Sequence, residues 1–386
     1  GTLADSQTIT ISVTDANEAP VITNGDTDTA SVAENQTSAI DVDHTDVDSG
    51  QTITYTISGG ADAAKFDIVG STGVVTFKTE PNFEANASAG GNNDYVIVVT
   101  ATDNGTGTLA DSQTITISVT DANDAPVISS SSTASVAENQ TAAIDVNHTD
   151  ADSDTITYTI SGGVDADLFN IDSGTGVVTF KAAPNFEANA SNAGNNNYVI
   201  NVTATDDGTG TLAVTQTITI SVTDANEAPV ISSSNTANAA ENQTAAIDVN
   251  HTDADSDTIT YTISGGVDAD LFNIDSGTGV VTFKAAPNFE ANASNAGNNN
   301  YVINVTATDD GTGTLAVTQT ITISVTDAND APVISSSSTA SVAENQTAAI
   351  DVNHTDADSD TITYTISGGV DADLFNIDSG TGVVTF

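Results

Sequence analysis

The stretch "YVINVTATD", residues 198–206, decides the fold class. Tyr198, Ile200, Val202 and Ala204 alternate with polar residues along it. A hydrophobic period of two is typical of a β-strand with one buried face and one solvated face. The stretch therefore predicts a strand in a half-buried sheet, and it directs attention to other segments with the same alternation.

Several neighbouring segments repeat this pattern. "TITYTI" (155–160) and "TITISV" (217–222) alternate in the same way, and "SGTG" (173–176) separates "FNID" from "VVTFK" as a hairpin turn would. About seven such strands fit in roughly 103 residues, and no stretch with a helical period exceeds a turn or two. The sequence therefore predicts an all-β protein made of immunoglobulin-like, seven-stranded β-sandwiches.

The chain is internally repetitive. The phrase "ENQT" begins at Glu34, Glu138, Glu241 and Glu344, at spacings of 104, 103 and 103 residues. A fixed period of this length indicates tandem repeats in a linear rod. We predict the C-terminal strand of a preceding repeat (1–17), three whole repeats (18–123, 124–226 and 227–329) and the N-terminal part of another (330–386). The sequence thus reads as a segment of a longer protein.

The net charge restricts the partners. The 386 residues include 53 acidic residues and only four Lys or Arg, for a formal charge of -49. Nucleic acid is excluded because a phosphate backbone needs basic side chains, and anionic membrane surfaces are disfavoured for the same reason. No apolar run approaches a membrane span, so no direct membrane insertion is expected in this segment. Cysteine is absent, which suits a bacterial export route.

The acidic residues concentrate in loops. They occur in "AENQ", "HTDADSD", "PNFE", "ATDD" and the linker "VTDANEAPVI" (222–231). In a sandwich these loops lie at the two ends, and the linker joins one end to the next repeat. Carboxylate, amide and carbonyl oxygens suit Ca²⁺, which takes six to eight oxygen ligands in a flexible shell, whereas Mg²⁺ demands a tighter octahedron.

These residues carry a family resemblance. The "AEN" glutamate, the "DAD" pair, "LFNIDSGTGVVTF", "NFE", "YVINVTATD" and the linker "DANEAP" occur in order in each unit. Together they resemble the cadherin repeat, particularly the cadherin-like repeats of large bacterial surface proteins, and the resemblance covers essentially the whole chain.

The resemblance implies calcium ligands at each joint between repeats. At the joint before the first whole repeat they would be Asp15, Asn17, Glu18, Asp46, Asp48 and Asp103. At the next joint they would be Glu34, Asn82, Glu84, Asp121, Asn123, Asp124, Asp150, Asp152 and Asp206. At the third they would be Glu138, Asn185, Glu187, Asp224, Asn226, Glu227, Asp253, Asp255 and Asp309. At the last they would be Glu241, Asn288, Glu290, Asp327, Asn329, Asp330, Asp356 and Asp358.

One departure from the family pattern affects these sites. Asn82, Asn185 and Asn288 stand where the family has an aspartate, in "Asn-Phe-Glu". An Asn offers an amide oxygen but no charge, so we expect the outermost ion to bind most weakly there. Seven carboxylates at the third joint still roughly balance the charge of three calcium ions.

Other readings of the same residues exist. Clustered surface acids can serve solubility alone, and the second "DAD" (165–167) lies in a mid-domain loop where calcium is not expected. His148 falls at an inward strand position, which favours packing or a hydrogen bond over a metal role. No Ser/His/Asp set supports catalysis, so the chain is predicted not to be an enzyme.

The functional prediction is structural. We expect a calcium-rigidified, non-enzymatic extender in a large bacterial cell-surface or secreted adhesin, located outside the cell. Its partners would be calcium ions and the neighbouring repeats of the same chain. Further candidate partners are other copies of the chain and surface polysaccharide. The alternatives are an adhesive module that binds polysaccharide or pairs homophilically, and a subunit that packs laterally into a filament. Few exposed aromatic residues are available for sugar stacking, which disfavours the polysaccharide reading.

Overall fold

The computed structural model describes residues 1–24 and 29–386. The chain divides into two compact units, residues 1–223 and 224–386. The first unit contains two repeats of the sandwich, and the second contains one repeat and the beginning of another. Each unit is described by itself.

The strands of the first unit follow the repeat. Residues 1–20 lie in no strand, so the strand predicted within 1–17 is not observed. The first repeat contains β1 (Val21–Ile22), β2 (Thr29–Ala33), β3 (Ser38–Asp41), β4 (His44–Thr45), β5 (Thr54–Gly59), β6 (Phe66–Ile68), β7 (Val74–Phe77), β8 (Asp94–Thr102) and β9 (Ala110–Thr120). The second contains β10 (Val127–Ile128), β11 (Thr133–Ala137), β12 (Ala142–Asp145), β13 (His148–Thr149), β14 (Thr157–Gly162), β15 (Phe169–Ile171), β16 (Val177–Phe180), β17 (Asn197–Thr205) and β18 (Ala213–Thr223).

The second unit repeats the same order. It contains β19 (Val230–Ile231), β20 (Thr236–Ala240), β21 (Ala245–Asp248), β22 (His251–Thr252), β23 (Thr260–Gly265), β24 (Phe272–Ile274), β25 (Val280–Phe283), β26 (Asn300–Thr308) and β27 (Ala316–Thr326). The final partial repeat contains β28 (Val333–Ile334), β29 (Ala348–Asp351), β30 (His354–Thr355), β31 (Asn376–Ile377) and β32 (Val383–Thr385).

Helical structure in the described ranges is limited to single 3-10 turns. They are Ala63–Lys65, Ala166–Leu168, Ala269–Leu271 and Ala372–Leu374. No helix in the described part of the chain is long and apolar enough to cross a membrane. The prediction of an all-β fold is confirmed.

Two sheets form each whole repeat. In the second repeat, one sheet has the order β11-β18-β17-β14 and the other β12-β16-β15, while the short strands β10 and β13 pair separately. Nine segments thus make up seven strand positions, because each of the first two positions is interrupted. β11 runs parallel to β18, and β17 pairs antiparallel with β18 from Asn197↔Ser221 to Thr205↔Ala213. The predicted seven-stranded sandwich is confirmed.

The core lies between these sheets. In β17, Tyr198, Ile200, Val202 and Ala204 are all buried, as the alternation predicts. The ring of Tyr198 meets that of Phe180 edge-on, with centroids 5.2 Å apart. Burying an aliphatic side chain such as that of Ile200 or Val202 contributes about 1.5–3 kcal/mol. The inner face of β17 therefore contributes much of the stability of the repeat.

The second "DAD" contributes a buried carboxylate to the fold. Asp165 is fully buried, and its two oxygens accept hydrogen bonds from the backbone N–H groups of Asn192 (2.7 Å) and Val199 (2.8 Å). Because a buried charge is costly unless it is hydrogen-bonded, these bonds fix the loop at 192 against β17. The geometry gives Asp165 a structural role.

The repeated histidine also has a partner within the sandwich. His148 Nδ1 lies 2.5 Å from the hydroxyl of Tyr158, and His251 makes the equivalent contact with Tyr261 at 2.6 Å. The histidine therefore makes a hydrogen bond, but its partner lies in strand β14, not in a nearby loop as the sequence suggested. It positions the short strand β13, which leads directly into the acidic loop that begins at Asp150.

Candidate calcium sites at the joints

A buried glutamate organises the upstream side of the joint between the first two whole repeats. Glu34 is only 3% exposed. One of its oxygens accepts the N–H of Phe83 at 2.7 Å, and the other accepts the N–H of Ala122 at 3.0 Å. The "AEN" loop, the "NFE" loop and the linker are therefore joined through one side chain. In the second unit, Glu241 bonds Phe289 and Ala328 in the same way.

Further carboxylates gather around this glutamate. Glu34, Glu84 and Asp121 each place an oxygen within 4.8 Å of the others. Partial desolvation raises the pKa of Glu84 and of Asp121, and neighbouring carboxylates raise both further. Like charges this close destabilise one another unless a cation lies between them. The equivalent group in the second unit is Glu241, Glu290, Asp327 and Asp358.

The linker is attached to the downstream repeat by an aspartate. Asp152 Oδ2 accepts the backbone N–H of Asp124 at 2.6 Å. Asp48 accepts the N–H of Glu18 at 2.7 Å, and Asp255 accepts that of Glu227 at 2.7 Å. A hydrogen bond to a carboxylate is among the stronger ones in proteins. The second aspartate of "DAD" is thus a point of attachment for the linker at each of these joints.

The downstream side of the joint contains an open pocket lined largely by polar residues. Its volume is about 720 Å³, and its lining includes Asn123, Asp152, Asp154, Gly208 and Leu212. Asp150, Asp152 and Asp154 each place a carboxylate oxygen within 4.8 Å of the others. Within the second unit, a pocket of about 600 Å³ has the equivalent lining, including Asn226, Asp255, Asp257 and Gly311.

Several carboxylate oxygens in and beside these pockets have no hydrogen-bond donor in the described part of the chain. Asp150 Oδ2, Asp152 Oδ1 and Asp206 Oδ2 are buried without a hydrogen-bond partner among the residues that the structure describes. In the second unit the same holds, over the described residues, for Asp253 Oδ2 and Asp255 Oδ1. A buried carboxylate oxygen left without a donor is costly, so a cation bound here would stabilise these atoms.

This donor set fits calcium. The unpartnered atoms are carboxylate oxygens, and the Oδ1 of Asn123 is an amide oxygen that likewise has no partner in the described ranges. Hard divalent cations select such ligands, and Ca²⁺ tolerates the irregular, many-oxygen arrangement that loops provide. The "DAD" aspartates, the linker residues and Asp206 would hold the ion.

The structure brings several of the predicted ligands together in separate groups. Within the first unit, Glu34, Glu84 and Asp121 form one group of carboxylates, Asp150 and Asp152 belong to a second, and Asp15, Glu18 and Asp48 form a third. Within the second unit it joins Asn226 to Asp309, at 3.2 Å. Glu138 and Glu187 belong to the first unit, where Glu138 accepts the N–H of Phe186 at 2.7 Å.

The asparagines of "Asn-Phe-Glu" are engaged locally. Asn82 Oδ1 accepts the N–H of Ala85 at 2.6 Å, and its amide donates to Glu84 at 3.1 Å. Asn185 and Asn288 make the same pair of bonds. The oxygen that the sequence offered as a metal ligand is therefore used to close a turn and to orient the following glutamate. Whether it also binds an ion stays a prediction.

Sequence reasoning missed three kinds of residue at the joints. Asp154 and Asp257 line the pockets. Asn35, with a φ of 60°, donates across the joint to Asp124 at 2.7 Å, as Asn242 does to Asp330. A side chain at Gly208 would displace neighbouring side chains, because a Cβ there would lie 1.8 Å from Asn123 Oδ1. The alternation of acidic residues at 150, 152 and 154 could have indicated the role of Asp154.

Comparisons with known proteins identify the family of the chain. The cadherin domain matches three stretches, residues 28–120, 132–223 and 235–326. Protocadherin Fat 4 of Mus musculus is 30% identical over 319 residues, which cover 76% of this chain and 6% of that protein. Cadherin EGF LAG seven-pass G-type receptor 2 of Homo sapiens is 32% identical over 315 residues, which cover 75% of this chain and 10% of that protein.

A solved structure shows the same architecture. The protocadherin GammaB4 extracellular domain is 25% identical, with a TM-score of 0.52, over 97% of this chain and 62% of that one. The chain spans only a small part of the two relatives from mouse and human. With three domain matches that together cover most of its length, the chain belongs to the cadherin domain family.

Proposed function

We propose that the chain is a calcium-rigidified extender, a non-enzymatic spacer in a large extracellular adhesion protein. The observation that carries this proposal is the set of buried carboxylate oxygens at the joints that lack a hydrogen-bond donor in the described part of the chain, as at Asp150 and Asp206. Without a cation these charges repel and the joint opens. With calcium they become ligands, and each repeat is held against the next.

The energetics are consistent with this role. Extracellular calcium modules bind with dissociation constants of roughly 10⁻⁴–10⁻³ M. An ion present at about ten times its dissociation constant stabilises the bound state by about 1.4 kcal/mol. The free energy of unfolding of a small domain is about 5–15 kcal/mol. The summed stabilisation from several ions at one joint is therefore a sizeable fraction of it.

The surface supports a spacer more than a sugar-binding module. Saccharide sites commonly use exposed aromatic rings for stacking, and Tyr158, Phe169, Phe180 and Tyr198 are all buried in the core of the second repeat. Successive repeats are nearly identical and therefore present the same outer face, as expected for a spacer that determines the length of the protein. We therefore favour the extender over a polysaccharide-binding module.

We further propose a bacterial cell-surface or secreted protein as the setting. The support is the absence of cysteine, the large negative charge and the near-identity of successive repeats. The relatives named above come from mouse and human, so the bacterial source stays a prediction. Attachment to a surface would come from parts of the protein other than this segment.

Small-angle X-ray scattering of the full chain tests the extender. The maximum dimension should be larger in about 10 mM calcium, roughly ten times the weakest expected dissociation constant, than in a chelator. Magnesium at the same ionic strength controls for screening, which shields exposed charges without bridging them. Equal dimensions in calcium and in chelator would contradict the proposal. Sedimentation in calcium separates an extender from a homophilic module, because only the latter would self-associate.

A further inference from the structure

The loop after "DAD" contains a third acid that faces the downstream pocket. Asp154 Oδ2 is buried without a hydrogen-bond partner in the described ranges, and so is Asp257 Oδ2 in the second unit. The loop geometry is fixed from both sides. The N–H of Asp154 donates to Asp150 Oδ1 at 3.1 Å, and the N–H of Thr155 donates to Asp207 at 2.8 Å.

In the described part of the chain, the groups beside this carboxylate are an amide oxygen and another buried carboxylate. A Cβ at Gly208 would lie 1.8 Å from Asn123 Oδ1 and 2.1 Å from Asp154 Oδ2, so both oxygens crowd the same point. Asp206 beside them is only 3% exposed. Its Oδ1 accepts the N–H groups of Gly208 and Leu212, which leaves Oδ2 for another partner.

The first whole repeat replaces this acid with an amide. Its loop is one residue longer, and Gln51 takes the place of Asp154. Gln51 Nε2 donates to Asn17 Oδ1 at 2.5 Å, and Asn17 Nδ2 donates to Asp103 at 3.0 Å. The neighbouring loop also loses a charge, because Asn104 accepts the N–H of Thr52 where Asp207 accepts that of Thr155.

The chemistry of the two versions differs. An N–H group cannot be a ligand to a cation, and here it satisfies the asparagine oxygen that an ion would otherwise use. Because Asn17 donates to Asp103, its oxygen must face Gln51, which fixes the nitrogen of Gln51 toward it. The amide of Gln51 thus gives Asn17 Oδ1 a hydrogen-bond donor, whereas Asn123 Oδ1 at the next joint has none in the described ranges.

We propose that Asp154 and Asp257 are additional ligands of the calcium ion on the downstream side of their joints, and that Gln51 makes the corresponding site before the first whole repeat weak. This inference rests on the proposed function. Its consequence is that the joints differ in calcium affinity. Joints that carry the third acid saturate at a lower calcium concentration than the joint that carries Gln51, which becomes rigid last.

Isosteric exchanges in the full chain test the proposal. Asp154→Asn and Asp257→Asn remove a charge without changing shape, and Gln51→Glu adds one. Native mass spectrometry at graded free calcium counts the bound ions. Each Asp→Asn exchange should weaken one site about tenfold or more, since affinity follows the number of charged ligands. Gln51→Glu should add or tighten one site. Asp172→Asn, in a hairpin turn outside the pocket, is the charge-matched control.

A second measurement separates a ligand from a structural residue. In chelator, Asp154→Asn should melt at or above the temperature of the unmodified chain, because it relieves repulsion from Asp150, Asp152 and Asp206. In calcium it should melt lower. A lower melting temperature in chelator would indicate a structural role and overturn the inference.

The outcomes distinguish the two proposals. If the unmodified chain binds no calcium, the proposed function fails. If the chain binds calcium and the Asp→Asn variants keep its affinity, the third-acid inference alone is overturned.

Discussion

The backbone N–H of Asp124 donates to Asp152 Oδ2 across the joint between the first two whole repeats, at 2.6 Å. Asp124 lies in the linker, and Asp152 lies in the first acidic loop of the downstream repeat. The bond therefore connects the linker directly to the loop whose other oxygens face the pocket. A metal ion bound by this carboxylate would couple to the position of the linker, because Asp152 Oδ1 is among the unpartnered oxygens of the described chain.

Replacing Asp152 should loosen the joint. Asp152→Asn keeps the size of the side chain but removes a charged acceptor and a proposed calcium ligand, so the linker should open more often in calcium. We expect limited proteolysis to cut faster within 121–126 and to release intact repeats. Asp172→Asn removes the same charge from a hairpin turn and should leave the cleavage rate unchanged. Equal cleavage of Asp152→Asn and the unmodified chain would show that this bond does not hold the linker.

Adding one methyl group at Gly208 should disable the downstream pocket. A Cβ there would lie 1.8 Å from Asn123 Oδ1, so the ligands must move apart. We expect Gly208→Ala to lose one calcium ion, as counted by native mass spectrometry, while the circular dichroism spectrum is retained. Gly174→Ala is the matched control, because its Cβ would meet nothing closer than Asp172 Oδ1 at 3.7 Å. Retention of every ion by Gly208→Ala would mean that the pocket tolerates a wider ligand shell.

Asp172 should make the hairpin turn of the second repeat sensitive to acid. Hydrogen bonds from the backbone N–H and the hydroxyl of Thr175, and from the N–H of Gly174, hold the pKa of Asp172 below its usual value of 3.8. A lowered pKa in the folded state stabilises the protein above the unfolded pKa, and this stability is lost as the pH falls through the folded pKa.

Nuclear magnetic resonance titration of the carboxyl carbon of Asp172 measures this effect. Thr175→Val removes the hydroxyl donor but keeps the backbone donor and the shape of the side chain. We expect the pKa of Asp172 to rise toward 3.8 in this variant. The carboxyl group of Asp275 has the same donors in the third repeat and serves as an internal control. An unchanged pKa would assign the shift to the backbone N–H groups alone.

Truncating the core of one repeat should unfold that repeat first. Ile200 is fully buried within a hydrophobic cluster whose members all come from the second repeat. Ile200→Ala should cost about 2–5 kcal/mol through lost transfer energy and the cavity that remains. Calorimetry should then resolve an earlier transition for this repeat, with the others nearly unmoved, since stability in repeat arrays is largely local. A uniform shift of all transitions would instead indicate strong coupling between repeats.

The fold could be predicted largely from the sequence because its determinants are local. The period of two at Tyr198, Ile200 and Val202 specifies which face is buried, and the structure buries those side chains. The interruption of the first two strand positions was not predicted. β10 and β11 are separate because β10 pairs with β13, whereas β11 crosses to pair with β18. Such an exchange between partners depends on tertiary structure.

The candidate site was predictable in part for the same reason. Motifs such as "DAD" predict candidate ligands within one loop. The structure places carboxylate oxygens of Asp150 and Asp152 close together, as expected. Asp154, Gly208 and Asn35 were missed because their roles depend on which loops meet. Ser153 turns the chain with a φ of 64° just before Asp154, and no pattern of residue types encodes that direction.

The parallel pairing of β11 with β18 has a mechanical consequence. Five registered pairs, from Thr133↔Thr219 to Ala137↔Thr223, join the strand near the start of the second repeat to the strand at its end. Tension applied to the two ends of the repeat pulls these parallel strands in opposite directions along their length. The rungs are then loaded together in shear instead of opening one after another. Single-molecule stretching should therefore show each sandwich resisting force abruptly and yielding in one step, as suits a tether under load.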